Sequence, residues 1–172
     1  MPLPKSFPRI ALWLFIINLG VAFGAGLYES RIVVSDWLTA SPGSGLHWNA
    51  EAARQDNTGV RFWAFVTTGP LTLLTVANLM AAWRAPAPVR RWWLAAALAA
   101  VVDRTVTFSY FIPTMIALMD APDVGESVET AARWATLNHG RHAVLLIAWM
   151  AALKAFAVIH QRGGDDLDAS PA

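Results

Sequence analysis

The chain has 172 residues, of which 56% are apolar and 15% charged, with no cysteine, nine tryptophans and a formal net charge of +1. Soluble domains carry roughly a quarter charged residues, so this composition and a mean hydropathy of +0.42 exclude an ordinary soluble globule. Zero cysteines exclude disulfide, thiolate-metal and dithiol redox chemistry, and the scattered basic residues leave no nucleic-acid footprint.

A membrane-spanning helix needs about 20 mostly apolar residues. Four segments meet that length, and the sequence predicts spans over residues 10–29, 62–83, 92–118 and 134–160. The first is uncharged up to Glu29 and carries Asn18; the third holds Asp103 and Arg104 near its middle; the fourth has its apolar part at Ala143 to Ile159, broken only by Lys154. Lys5 and Arg9 precede the first span as they would a signal peptide, but its apolar stretch exceeds the usual h-region of about 7–15 residues and no A-x-A site follows. Pro70 and Pro113 are expected to kink their spans. Residues 1–162 read as one all-α integral membrane domain, a four-transmembrane-helix bundle, and residues 163–172 as a disordered acidic tail.

Loop charge sets the expected orientation. Lys5 and Arg9, then Arg84, Arg90 and Arg91, then Arg162 lie on one side, whereas the third loop carries Asp120, Asp123, Glu126 and Glu129. Both termini are therefore expected to be cytoplasmic, with a long first extracytoplasmic loop, and the cysteine-free apolar chain suits a bacterial inner membrane. Trp83, Trp92 and Trp93 are expected in an inner aromatic belt, with Trp63 and Trp134 at the outer interface. The segment from Ser30 to Gly59, containing Trp37, His47 and Trp48, is long enough to serve as a cover. Within it Asn49 is placed to cap a short helix over Ala50 to Gln55. Gly20 and Gly24 on the first span form a small-residue face suited to packing and, secondarily, to a homodimer.

Ionisable groups face lipid only at high cost, so polar stripes at helical spacing should converge on the bundle interior. Asn18, Ala22, Ala25 and Glu29 share one face; Thr68, Thr72 and Thr75, with Arg61 two turns earlier, share another. Asp103, Thr107, Tyr110 and Thr114 line the third span, and Asn138, Arg141, His142, Leu145 and Trp149 the fourth. At 1.5 Å per residue, Asp103 and Arg104 lie about 17 Å in from the start of the third helix, so a polar cavity in the outer half of the bundle is expected. Asp103 and Arg104 are about 100° apart on a helix and should not meet face to face. Asp103 is expected to pair with Arg61 or Arg141, and Arg104 with Glu29. The bland alternative makes these charges helix-locking glue, and the threonines simple back-bonders to the preceding turn. His139 and His142 at i,i+3 have a metal-ligand spacing, completed at best by Glu29, His47 or Asp103, but no HExxH element accompanies them. Neither metal nor cofactor is expected, and no P-loop, GxSxG or GxGxxG fingerprint is present.

Three elements carry a resemblance: the glycine-rich first helix ending Gly-Leu-Tyr28-Glu29, the Arg61-Phe62-Trp63 entry to the second, and Trp134-x-x-Leu137-Asn138-x-x-Arg141 opening the fourth. With four short spans, the chain resembles the small membrane family that includes the fungal anthrone oxygenases, over most of residues 10–159. The resemblance implies a cofactor-free oxidation of a flat, hydrophobic aromatic substrate. His142, or Tyr110 helped by Asp103, would then act as base. Arg61, Arg141 and Asn138 would stabilise the resulting anion, with Glu29 and Arg104 also at the substrate and Trp149, Trp63 and Phe111 as aromatic walls. The expected partners are the lipid bilayer and a hydrophobic small molecule. Two rival readings use the same charges: a small-molecule carrier, and a non-catalytic accessory subunit with a structural polar core.

Overall fold

The computed structural model describes residues 7–43 and 45–168. The chain runs α1 (Phe7–Tyr28), a π-helical segment π1 (Glu29–Val33), α2 (Val34–Trp37), a hairpin β1 (Leu38–Ser41) and β2 (Gly45–Trp48), and α3 (Ala50–Asp56). There follow π2 (Gly59–Thr68), α4 (Gly69–Trp83), α5 (Ala87–Val106), π3 (Thr107–Phe111), α6 (Ile112–Met119) and α7 (Gly125–Asp168). Joined end to end, these make four helices long and apolar enough to cross a membrane: Pro8–Trp37, Gly59–Trp83, Ala87–Met119 and Gly125–Gln161. In their most apolar windows only 22–39% of residues are buried inside the molecule. Side chains such as Phe65, Leu73 and Ile147 point outward, as lipid-facing residues do. Length, composition and this inside-out burial mark a multi-pass membrane protein.

The first span is longer than its apolar stretch implied. Glu29, Arg31 and Asp36 do not end the helix, because Arg31 and Asp36 turn to the exposed side while Glu29 alone turns inward. The long first loop therefore begins only at Leu38. It contains a hairpin the sequence reading missed, with Leu38 opposite Trp48 and Ser41 opposite Gly45. Gly43 and Gly45, both at φ +88°, supply the left-handed backbone of its turn. The expected cap is present: the Asn49 side chain accepts the Ala52 amide at 3.0 Å, opening α3. Helical backbone continues to Asp168, into the segment expected to be an acidic tail, whose last four residues lie outside the described residues.

Two of the three π segments end where proline begins. Pro70 and Pro113 stand at the first turns of α4 and α6, directly after π2 and π3. Proline has no N–H for the carbonyl four residues back and its ring crowds that carbonyl, and widened turns take up the misfit. The carbonyl released by Pro70 is that of Val66, and Asn18 of the first span donates its side-chain amide to it at 2.7 Å.

Two apolar cores fill the bundle. Near the chain termini, α1, α4, α5 and α7 pack through Phe15, Leu19, Leu71, Trp93 and the alanines of α5 and α7. At the opposite end, hereafter the loop end, Trp37, Trp48, Phe111, Leu118 and Trp134 pack the first loop onto the third and fourth spans. Several indole positions differ from the expected belts. Trp83 is exposed as a belt residue should be. Trp93 is core and donates to Asn78 Oδ1 at 2.9 Å, Trp134 is buried and donates to the Phe111 carbonyl at 3.1 Å, and Trp63 turns inward. Asn78, fully buried, also donates to the Ala11 carbonyl at 3.1 Å and was not singled out from sequence. As a lone amide among apolar residues of the second span, it was the visible signal.

Candidate functional site

Between the two cores lies a buried polar layer: Glu29, Thr67, Asp103, Arg104, Thr107, Asn138 and His142, with half-buried Arg141. A cavity of about 430 Å³ adjoins it at the loop end, walled mainly by apolar side chains. Its charged wall residues are Glu29, Arg104 and Arg141. All three π segments supply wall: Glu29 from π1; Val60, Trp63, Ala64 and Thr67 from π2; Thr107 and Phe111 from π3. π-Helical turns cluster at functional sites because they re-aim side chains without breaking the helix.

The same geometry decides which expected residues reach the site. In π2 the wall positions recur at steps of four, Val60–Ala64–Thr68 and Gly59–Trp63–Thr67. Seven residues are therefore not two turns there, and Arg61, expected in line with Thr68, is exposed and outside the wall. In π3, Thr107 and Phe111 turn to the cavity while Tyr110 packs edge-on against Phe111, outside it. Of the striped threonines, Thr72 and Thr75 follow the bland reading and donate to carbonyls four residues back, as does their neighbour Thr67. Thr67 and Thr68 nevertheless contribute to the wall.

Glu29 Oε1 accepts from Thr58 Oγ1 at 2.6 Å and from Trp63 Nε1 at 2.7 Å. Both donors are neutral, so its expected partner Arg104 is not its partner. Arg104 folds back on Asp103 instead, with Nε 2.8 Å from Oδ2 and Nη2 also bonded. That corrects the expectation that sequence neighbours would not meet. Backbone directions 100° apart do not prevent it, because the guanidinium reaches back around the helix and a buried carboxylate has no water to take its place. Asp103 is completely buried behind this pair and does not reach the cavity.

Arg141 has no carboxylate within ion-pair distance among the described residues. It lies over the Phe111 ring at 4.9 Å and the Trp63 ring at 6.0 Å, and Nη1 reaches Thr107 Oγ1 at 3.4 Å. Arg141 Nε and Arg104 Nη1 are buried donors with no partner among the described residues, and Asp103 Oδ1 and Asn138 Oδ1 are acceptors in the same position. Asn138 Nδ2 reaches Ser30 Oγ at 3.4 Å. His142 is buried with neither ring nitrogen bonded, packed on Gly26 behind the cavity. Trp149 packs on Gly20, where an added Cβ would lie 3.1 Å from its ring, so Gly20 is covered within the chain and only Gly24 of the expected dimer face looks outward. His139 is exposed and bonded to the Ala135 carbonyl at 2.8 Å, turned away from the site. No group of three histidine or carboxylate side chains with metal-binding geometry occurs among the described residues.

The first loop roofs this end. Its flanks, Trp37 at the end of the first span and residues 57–60 running into π2, form part of the wall, and Trp37 Nε1 donates to Asp56 at 2.8 Å. The roof is tied down by Trp48 Nε1 to the Leu118 carbonyl at 2.8 Å, by Arg54 to the Met119 carbonyl at 3.0 Å, and by Asp123. Asp123 accepts the Trp48 amide at 2.9 Å and contacts His47 Nδ1 at 3.0 Å. The backbone amide first, and His47 second, hold its carboxyl below the ordinary aspartate range. Trp37 and Thr58 are wall residues that sequence reading missed as such; Trp37 was noted only as a loop residue.

No protein-family model, curated protein or solved structure matches the chain.

Proposed function

We propose that this is a multi-pass inner-membrane protein with both termini cytoplasmic, whose cavity binds a flat, hydrophobic aromatic molecule bearing an acidic C–H or phenol and oxidises it without a cofactor. The observation that carries the reading is an apolar cavity whose charged wall groups are Glu29, Arg104 and the ion-unpaired Arg141. Aromatic faces at Trp63, Phe111 and Trp134 suit a planar ring system.

Glu29 is the base of this scheme. It is the carboxylate in the wall, and its bonds to Thr58 and Trp63 position it without a cation to neutralise it. His142, Tyr110 and Asp103, expected from sequence for that role, stand outside the wall. Arg141, with its unpartnered Nε, and Arg104 Nη1 receive the negative charge that deprotonation creates, the electrostatic role of an oxyanion site in a water-poor cavity. The carbanionic substrate then reduces dioxygen. For a methylene flanked by aryl rings, CH₂ plus O₂ gives C=O plus H₂O, one oxygen atom ending in the carbonyl and the other in water.

Helix-locking glue is the weaker reading on one specific ground. The buried ion pair lies within a single helix, Asp103 with Arg104, and an intrahelical pair fixes neither helix order nor register. Oxygen uptake by the purified protein with a panel of anthrones and quinols tests the proposal. Uptake that is lost in Glu29→Gln and Arg141→Ala is expected; binding without any oxygen uptake would make the protein a carrier instead.

A further inference from the structure

The walls of the cavity are unequal. Toward the aqueous side the roof is stapled by Trp48, Arg54 and Asp123 to the third loop. Sideways, between the second and third spans, the wall thins. At the terminal end these two helices pack closely, α4 against α5, whereas at the loop end π2 packs on α1 and forms no comparable interface with π3 or α6. The rim of this gap consists of Val60 and Ala64 on one helix and Ile112 and Ile116 on the other, all lining the cavity. Val60 and Ile116 are each 60% exposed. At 1.5 Å per residue the rim runs from the end of the spans to roughly 10 Å into the apolar zone.

We propose that this gap is a lateral portal through which the ligand enters from the bilayer and not from water. The argument rests on the reading of the cavity as a ligand site and adds the route and the source. An aqueous entrance would require breaking the roof's bonds, including the buried Trp48 indole bond to Leu118. Among the described residues no hydrogen bond joins the two sides of the portal, whose rim offers only aliphatic surface, so an apolar molecule dissolved among acyl chains slides in without desolvating a polar group. Its acidic end then meets Arg141 and Arg104, the unpartnered donors at the inner wall. One side of the gap is π2, just ahead of Pro70, and the other is α6, whose first turn holds Pro113.

The test uses full-length protein in liposomes and 1,8-dihydroxyanthraquinone, a stable, coloured, planar phenol that quenches tryptophan. Val60→Trp and Ile116→Trp, singly and together, fill the rim from lipid-facing positions where bulk is accommodated. Asp123→Ala removes the roof's contacts to Trp48 N–H and His47. Lateral entry predicts that the double rim variant slows association of lipid-dissolved probe by roughly tenfold or more, with Asp123→Ala unchanged. Faster association in Asp123→Ala, with the rim variants like the parent, would overturn it. Failure of the parent to bind the probe in detergent would sink the ligand-site reading itself and the portal with it. Because the chain has no cysteine, Val60→Cys and Ile116→Cys give a second measurement free of folding concerns. Probe must protect both from a lipid-soluble maleimide, and labelling undiminished by bound probe would count against the portal.

Discussion

The imidazole of His142 rests on the backbone of Gly26, so close that a Cβ at that glycine would overlap Nε2. The absence of a side chain at this single position of the first span makes room for a buried histidine of the fourth. Gly26→Ala must displace the ring, and overpacking of this kind costs about 1–3 kcal/mol. We expect a lower melting temperature for Gly26→Ala in detergent and recovery in Gly26→Ala/His142→Ala. Gly24→Ala, where nothing lies within 4 Å, should be neutral or stabilising, since alanine is favoured over glycine in a helix by roughly 0.5–1 kcal/mol.

Glu29→Gln keeps a side-chain oxygen for Trp63 and Thr58 but removes the base. It should leave the fold intact and reduce oxygen-dependent turnover by about 10²–10⁴-fold. His142→Ala, outside the cavity wall, should retain most turnover. Steady-state oxygen uptake on the three proteins decides the assignment, and the opposite ranking would return the base to His142.

The pair of Asp103 and Arg104 makes a different claim. Removing one partner leaves a buried charge uncompensated, at a cost of about 3–5 kcal/mol. Asp103→Asn should therefore destabilise strongly, whereas Asp103→Leu/Arg104→Met, which removes both charges, should be markedly more stable than Asp103→Asn alone. Denaturation in mixed detergent micelles gives the comparison. Equal losses in single and double variants would mean that the two residues do not act as a pair.

The roof has a pH dependence with a definite sign. Asp123 is held below its ordinary value in the folded protein, so its contribution is complete above the unfolded aspartate range near 4 and is lost as pH falls through the lowered value. The protection factor of the Trp48 amide against hydrogen exchange should be high at neutral pH and fall on acidification. Asp123→Ala should lower that protection at neutral pH and show little further change.

Much was legible in the chain before folding was considered. The four apolar runs, the Asn49 cap and the back-bonding threonines depend on neighbours a few residues away, where local hydrogen bonding and hydropathy decide. Glu29, Arg104 and Arg141 were recognisable as inward residues because charge in an apolar span needs a protein partner, whereas Trp63, read as an interface residue, turns inward to Glu29. Arg61 and Tyr110 were misplaced for one shared reason: each was projected along an ideal α-helix, and each lies in a π-helical segment where the turn is wider. Those turns follow from Pro70 and Pro113 in two cases, but their extent depends on what the neighbouring helix offers, as Asn18 does to the Val66 carbonyl.

Scarcity of charge, read from the sequence by itself, determined the class of molecule and the interior direction of its polar residues. Transfer free energy is a property of each side chain and its immediate run, and needs no knowledge of the fold. Only the tertiary structure decided which of those residues share a cavity. That Arg104 turns back on Asp103 follows from side-chain reach in a buried interior, while the hold of Thr58 and Trp63 on Glu29 and the place Gly26 leaves for His142 are contacts set by helix spacing across the bundle. Those distances exist only once the helices have packed.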